Sequence, residues 1–218
     1  MDYLQLFDEL ERQANPVRAT QMSAYMRNKF PFLGIPRPQV VALSRPYLKE
    51  AAKESHIDWN FVLAGWEKSY REAQYIAIDY LVRVVKKMEA ADLTRIRNLI
   101  ISKSWWDTVD QLSKVTGMLV ERFPQLIHVM IDWSRDDNIW LRRVAILFQL
   151  MYRKKTNTAV LDQILANNRG SGEFFIDKAM GWILRQYSKT NPGWVRNYID
   201  NNRSELSKLT LREAAKYI

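Results

Sequence analysis

Apolar residues recur at three- and four-residue spacing along nearly the whole chain, and no period-2 run flanked by turns interrupts them. The pattern predicts about a dozen helices with short connections. Start signals recur: Asn15-Pro16 puts a cap before a proline suited to the first helical position, and Asp58, Ser69, Asp92, Ser104, Asp136 and Ser171 precede other periodic runs. Breaks fall at Phe32 to Arg37, Phe123-Pro124, Asn167 to Gly172 and Asn191-Pro192-Gly193. Four prolines between Pro31 and Pro46 predict a helix that begins or bends there. With no long linker, the chain is expected to form one domain, residues 1–218.

Stacking the segments reveals a repeat. Tyr70, Trp105, Trp140 and Phe175 lie 35 residues apart, each just after a cap or turn residue, and the next step lands on Thr210. Val109, Val144, Ala179 and Ala214 keep the same register. Such a period marks stacked helical pairs whose neighbours complete each other's core. The Trp-x-x-Leu-Gly-x-x-Tyr pattern of tetratricopeptide repeats is missing, so irregular HEAT-like pairs fit better, and the expected fold is an all-α superhelix.

Composition narrows the chemistry. The 218 residues contain no cysteine and two histidines, which excludes disulfides, thiolate metal sites and cysteine nucleophiles, and leaves a multi-His metal site or a Ser-His-Asp triad poorly supplied. The 33 Lys and Arg against 24 Asp and Glu give a net charge of +9, which favours a polyanionic partner, nucleic acid first. Eight tryptophans add the aromatic surface that nucleic-acid grooves use. The N-terminal stretch is broken by Asp2, Asp8, Glu9 and Glu11, and apolar runs are short, so neither a secretory leader nor a membrane span is expected. A cytoplasmic location is the expectation.

Three repeat segments carry the candidate chemistry. In Lys103-Ser104-Trp105-Trp106-Asp107-Thr108-Val109-Asp110, on a helix opened by Ser104, Trp106 and Asp110 share a face. A ring face beside a carboxylate can hold a cation, although Trp105 and Trp106 could equally fill core and Asp110 be a solvated charge. In the helix through Trp140, the residues Trp140, Val144, Leu147, Phe148 and Met151 form one face and Arg142, Gln149 and Arg153 the opposite, solvated one. Arg143 falls at the edge of the apolar stripe, where it could grip a phosphate or snorkel over its own helix. In the third segment Lys178, Trp182, Arg185 and Lys189 form a basic stripe around an indole that could also be core. Gly181 inside that helix costs about 1 kcal/mol relative to Ala, which points to a close packing contact. On periodicity alone these segments define a basic helical solenoid suited to nucleic acid.

The runs Ser102 to Asp110, Asp137-Asn138-Ile139-Trp140-Leu141-Arg142-Arg143, Glu173-Phe174-Phe175-Ile176 and Gly181 to Pro192 resemble the bacterial alkylpurine DNA glycosylases of the HEAT-like repeat superfamily, the AlkD family. Tyr25-Met26-Arg27-Asn28-Lys29-Phe30 with Phe32-Leu33-Gly34-Ile35 is similar as well, so the likeness covers nearly the whole chain. The resemblance implies an all-helical solenoid that holds duplex DNA in a basic concave cleft and hydrolytically releases purines alkylated at N3 or N7, such as 3-methyladenine and 7-methylguanine. It implies no metal and no other cofactor, a lesion left in the duplex rather than flipped, and a cytoplasmic, nucleoid-associated monomer. The family's aromatic and carboxylate cluster corresponds to Trp106, Asp110 and Trp182, its DNA-backbone arginine to Arg143, and further cleft positions to Tyr25 and Arg185; Lys178 and Lys189 join the DNA-binding set from the basic stripe. One departure from the family is at Tyr217-Ile218, inside a helix pattern where relatives often continue, which bears on the last repeat's cap and part of its DNA grip.

The chemistry fits this inventory. A purine alkylated at N3 or N7 is already cationic and leaves without an acid, so missing His and Cys are no obstacle. Positive charge then moves onto the sugar, where a fixed carboxylate stabilises it. The rival readings are a non-catalytic solenoid for branched or distorted DNA, which some relatives lacking parts of the cluster are thought to be, and a protein-interaction scaffold. An RNA-reading repeat is weaker, because Asp110, Arg143 and Lys178 do not repeat a side-chain pattern.

Overall fold

The computed structural model describes residues 3–217; Met1, Asp2 and Ile218 lie outside the described residues. The described residues are helical throughout, without a strand. The helices are α1 (Tyr3–Arg12), α2 (Pro16–Tyr25), α3 (Arg37–Ala51), α4 (Trp59–Glu67), α5 (Arg71–Val84), α6 (Asp92–Ile101), α7 (Trp106–Arg122), α8 (Ile127–Trp133), α9 (Ile139–Leu147), α10 (Thr158–Ala166), α11 (Phe174–Ser188), α12 (Pro192–Asn202) and α13 (Lys208–Ala214). None is long and apolar enough to cross a membrane. The chain divides into two compact units, residues 1–88 and 89–218.

In the first unit α4 packs on α5, and α3 lies against α1 and α5. Its core is aromatic: Phe7 stacks on Phe61, and Phe61 meets the edge of Tyr80 at 5.3 Å. Helix α2 buries no residue and is held by its ends instead. Asn15 caps it, accepting from Arg18 N, and Asn15 N donates to Leu33 O at 2.7 Å. The partner loop is fixed from below by Glu72, which is fully buried and accepts from the amides of Leu33, Gly34 and Ile35 at 2.9 to 3.2 Å. Gly34 is required there: its φ is +84°, and a Cβ would sit 2.3 Å from Asn15 O.

In the second unit α7, α9, α11 and α13 lie side by side in chain order. Helices α6, α8, α10 and α12 back this layer. The 35-residue register is expressed directly. Val109, Val144, Ala179 and Ala214 are all completely buried, and Trp105, Trp140 and Phe175 form one ring cluster with centroids 5.0 to 5.7 Å apart. Tyr70, the same register position in the first unit, is buried at the start of α5 and donates to Glu11. Helix layers of this kind bury each repeat's apolar stripe against the next.

Several local expectations shift. Asn15 and Asp58 cap as read, and Asn191 caps α12 ahead of Pro192. Ser104 does not cap: its hydroxyl donates to Ile100 O, and α7 opens one residue later behind an extended Trp105. Tyr70, Asn138 and Glu173 stand at the N-caps expected of Ser69, Asp136 and Ser171, and Asp92 falls inside the first turn of α6. The solvated face expected around Trp140 is also corrected. Helix α9 ends at Leu147; beyond it Gln149 is buried and exchanges hydrogen bonds with the backbone of Asn157, while Met151 is exposed. Arg142 bonds Asn168 and Ser171 rather than water alone. A helix in the middle of a layer is covered on two flanks, so a single apolar stripe does not describe it.

Candidate active site

The site is built on the layer of the second unit. Lys103, at φ +49°, turns the chain sharply between α6 and α7. This turn sends Trp105 into the ring cluster and leaves Trp106, the first residue of α7, half-buried. Asp110 follows one turn later on the same face.

Arg143 reaches across from α9 and takes both oxygens of Asp110, Nε to Oδ1 at 2.7 Å and Nη2 to Oδ2 at 2.9 Å. Its Nη1 donates to Phe175 O, which ties the start of α11 to the same guanidinium. The Arg143 side chain is 4% exposed and that of Asp110 16% exposed. Arg143 is thus neither a snorkelling surface arginine nor an open phosphate grip. Three of its five N–H donors hold protein, and the rest are what it has left for another oxygen. Burial pushes the Asp110 carboxyl up from its usual range, the Arg143 guanidinium pulls against that, and neighbouring Asp107 adds to the rise. Bidentate, charge-assisted pairing of this kind fixes the orientation of a carboxylate as well as its charge.

The spacing of α7 and α9 depends on Gly117. A Cβ there would lie 2.1 Å from Phe148 O, and Tyr152 Oη donates to Gly117 O at 2.7 Å across the same contact. Any side chain at 117 would wedge apart the helices that carry Asp110 and Arg143.

On α11, Trp182 is half-buried and shares a face with Lys178 and Arg185. Both cations converge on Glu213 of α13, Lys178 at 2.8 Å. The close contact expected at Gly181 is real and falls on this same residue: a Cβ there would meet Glu213 Cβ at 2.5 Å. Lys189 lies past the end of α11, its ammonium 4.6 Å from the centre of the Tyr217 ring. Tyr25 stands in the first unit, at the last position of α2, 72% exposed. Around it the chain carries Arg18, Arg27 and Lys29, and no Asp or Glu occurs between Arg12 and Glu50. The structure therefore joins Asp110 to Arg143 directly and Lys178 to Arg185 through Glu213. Glu213 is not among the residues that the sequence singles out; its one signal is a lone acid in the register position that holds Arg143 and Lys178 in the preceding repeats.

The fold and this layer place the chain among helical-repeat proteins. The sequence model of the family described as DNA alkylation repair enzyme matches residues 6–218, and the chain belongs to that family. Among solved structures, a protein of Enterococcus faecalis described as a predicted DNA alkylation repair enzyme is 38% identical, with a TM-score of 0.87 over 94% of this chain and 96% of that one. AlkD2 and the protein smu.31, both from Streptococcus mutans, are each 17% identical, cover 82% of this chain and 97% of theirs, and share the fold at TM-scores of 0.61 and 0.60. No curated protein matches the chain.

Proposed function

We propose that this repair enzyme is a monofunctional DNA glycosylase that hydrolyses the N-glycosidic bond of cationic N3- or N7-alkylated purines in duplex DNA, 3-methyladenine and 7-methylguanine among them, without flipping the base. The observation that carries the reading is the Asp110 carboxylate, clamped at both oxygens by a buried arginine yet still partly exposed. The family and the net charge of +9 supply the context of DNA.

The alkylated purine departs as a neutral base and takes the bonding electrons with it. Charge develops on the deoxyribose, and Asp110, its geometry set before substrate arrives, stabilises that charge and orients the water that attacks. The Arg143 clamp keeps the carboxylate from rotating away. Trp106 and Trp182 present ring faces that favour the cationic sugar. Lys178, Arg185, Lys189 and Tyr25 hold the backbone and its register without reading sequence. Selectivity then comes from the lability of the lesion, and no acid is required. The enzyme works in the cytoplasm as a monomer.

Incubation of the pure protein with methylated duplex, followed by chromatography of the released bases, tests the proposal. Free 3-methyladenine and 7-methylguanine are expected. Tight binding with no base release would instead assign the non-catalytic reading.

A further inference from the structure

Glu213, on α13, has unusual surroundings. Its side chain is 4% exposed. It accepts from Lys178 Nζ at 2.8 Å, from Lys216 Nζ at 2.9 Å and from Arg185 Nη1. The hydrogen bonds from Lys178 and then Lys216, with their charges, hold its carboxyl down to about 2. The backbone beneath is equally fixed, because Gly181 lets α13 approach until Glu213 Cβ occupies the space of a missing side chain.

Three cations on one carboxylate leave about two positive charges uncompensated. The acid lies underneath and the cations above: Lys178 is 38% exposed, Arg185 23% and Lys216 48%. Each cation keeps further N–H donors beyond the one spent on Glu213. Lys178 stands one turn before the half-buried Trp182 and Arg185 one turn after it. Cations pinned from below by a buried acid are preorganised: an arriving anion need not order long, flexible side chains, which otherwise weakens binding.

We infer that Lys178, Arg185 and Lys216 form a built site for one phosphodiester group beside Trp182, with Glu213 as the positioning residue that holds it together. The inference rests on the DNA-acting reading above. It differs from a mere α11–α13 staple in what Glu213 controls: a staple supports stability, whereas a positioning acid decides whether one particular phosphate is felt.

The test uses duplexes that carry one tetrahydrofuran abasic-site analogue, which fixes the register, and one methylphosphonate, which neutralises a single phosphate, moved along both strands. Affinity is read by anisotropy, with no chemistry involved. For the wild type, one linkage position is expected to cost about tenfold, the weight of a charge-assisted contact. In Lys178→Gln and Arg185→Gln that penalty shrinks to about twofold or less, as a coupled pair requires. Glu213→Gln gains overall affinity by losing an acid, yet also loses its sensitivity to that linkage. Gly181→Ala displaces Glu213 without changing charge and shows the same lost sensitivity without the gain. If Glu213→Gln fails to fold by circular dichroism, the Lys178 and Arg185 cycles carry the test. A Glu213→Gln protein that keeps the full penalty, or a wild type with no linkage coupled to Lys178 or Arg185, overturns the inference. A protein that releases bases but shows no coupled linkage overturns this site alone.

Discussion

Arg143 and Asp110 sit 33 residues apart and meet through two parallel hydrogen bonds between neighbouring helices. The arginine is the more buried partner, so the pair is asymmetric: one side faces the core and the Phe175 carbonyl, the other keeps a carboxylate partly open. The same contact that ties neighbouring helices of the layer together also fixes the direction of the acid.

Replacing Arg143 by Ala leaves a buried carboxylate without its partner. Breaking a buried pair in this way costs about 3 to 5 kcal/mol of stability. Asp110 already lies above its ordinary pKa through burial, and loss of the guanidinium raises it further. In the proposed mechanism the ionised carboxylate acts, so the acid limb of the excision profile is expected to move to higher pH in the variant. Single-turnover rates across pH 4 to 8 check this, and an unmoved limb would separate Arg143 from Asp110 function. The salt slope of DNA binding should fall by no more than about 0.9, the weight of one phosphate contact.

Gly117→Ala forces a Cβ into Phe148 O and pushes α7 from α9. Overpacking of this kind costs about 1 to 3 kcal/mol. Denaturant unfolding should show that loss, and excision should fall with it because the Asp110–Arg143 clamp opens. A variant as stable and active as the wild type would contradict the packing account.

Tyr25 is 72% exposed on a helix that buries nothing. Tyr25→Ala should therefore leave the melting temperature within about 1 °C, since surface changes are usually worth under about 0.5 kcal/mol. Duplex affinity should drop several-fold. Equal affinity would remove Tyr25 from the DNA-binding set.

Because the proposed route leaves the lesion in the duplex, excision should tolerate larger alkyl groups. Rates for 7-methylguanine and for bulkier N7 adducts are expected to lie within about tenfold, roughly 1.4 kcal/mol of barrier. A steep decline with adduct size would point to base flipping instead.

Much of this architecture is legible in the sequence because repeats write the same burial rule several times. The aromatics at 105, 140 and 175 share one cluster, and the small apolar residues at 109, 144, 179 and 214 share one buried seam. Gly181 is legible from propensity alone, since a helix keeps a glycine only for a reason. The Asp110–Arg143 pair is not, because its 33-residue offset departs from the period and depends on how far a guanidinium reaches. Glu213 hides for a related cause: a helical wheel shows what shares a face, never which neighbouring helix faces it. Gln149 and Arg142 mislead a wheel for the same reason, one lying past the end of its helix and the other bonded to the next loop.

The most direct test of the account is single-turnover release of 7-methylguanine by Asp110→Asn, measured beside duplex affinity and thermal stability. The amide keeps shape and some hydrogen bonding but removes the charge, and it leaves Arg143 buried without a counter-ion, so the variant should melt lower while still folding. Excision is expected to fall by about 100-fold or more, the usual weight of one preorganised electrostatic group, with affinity nearly unchanged. Release at the wild-type rate from a folded Asp110→Asn protein would contradict the central claim that this carboxylate carries the chemistry.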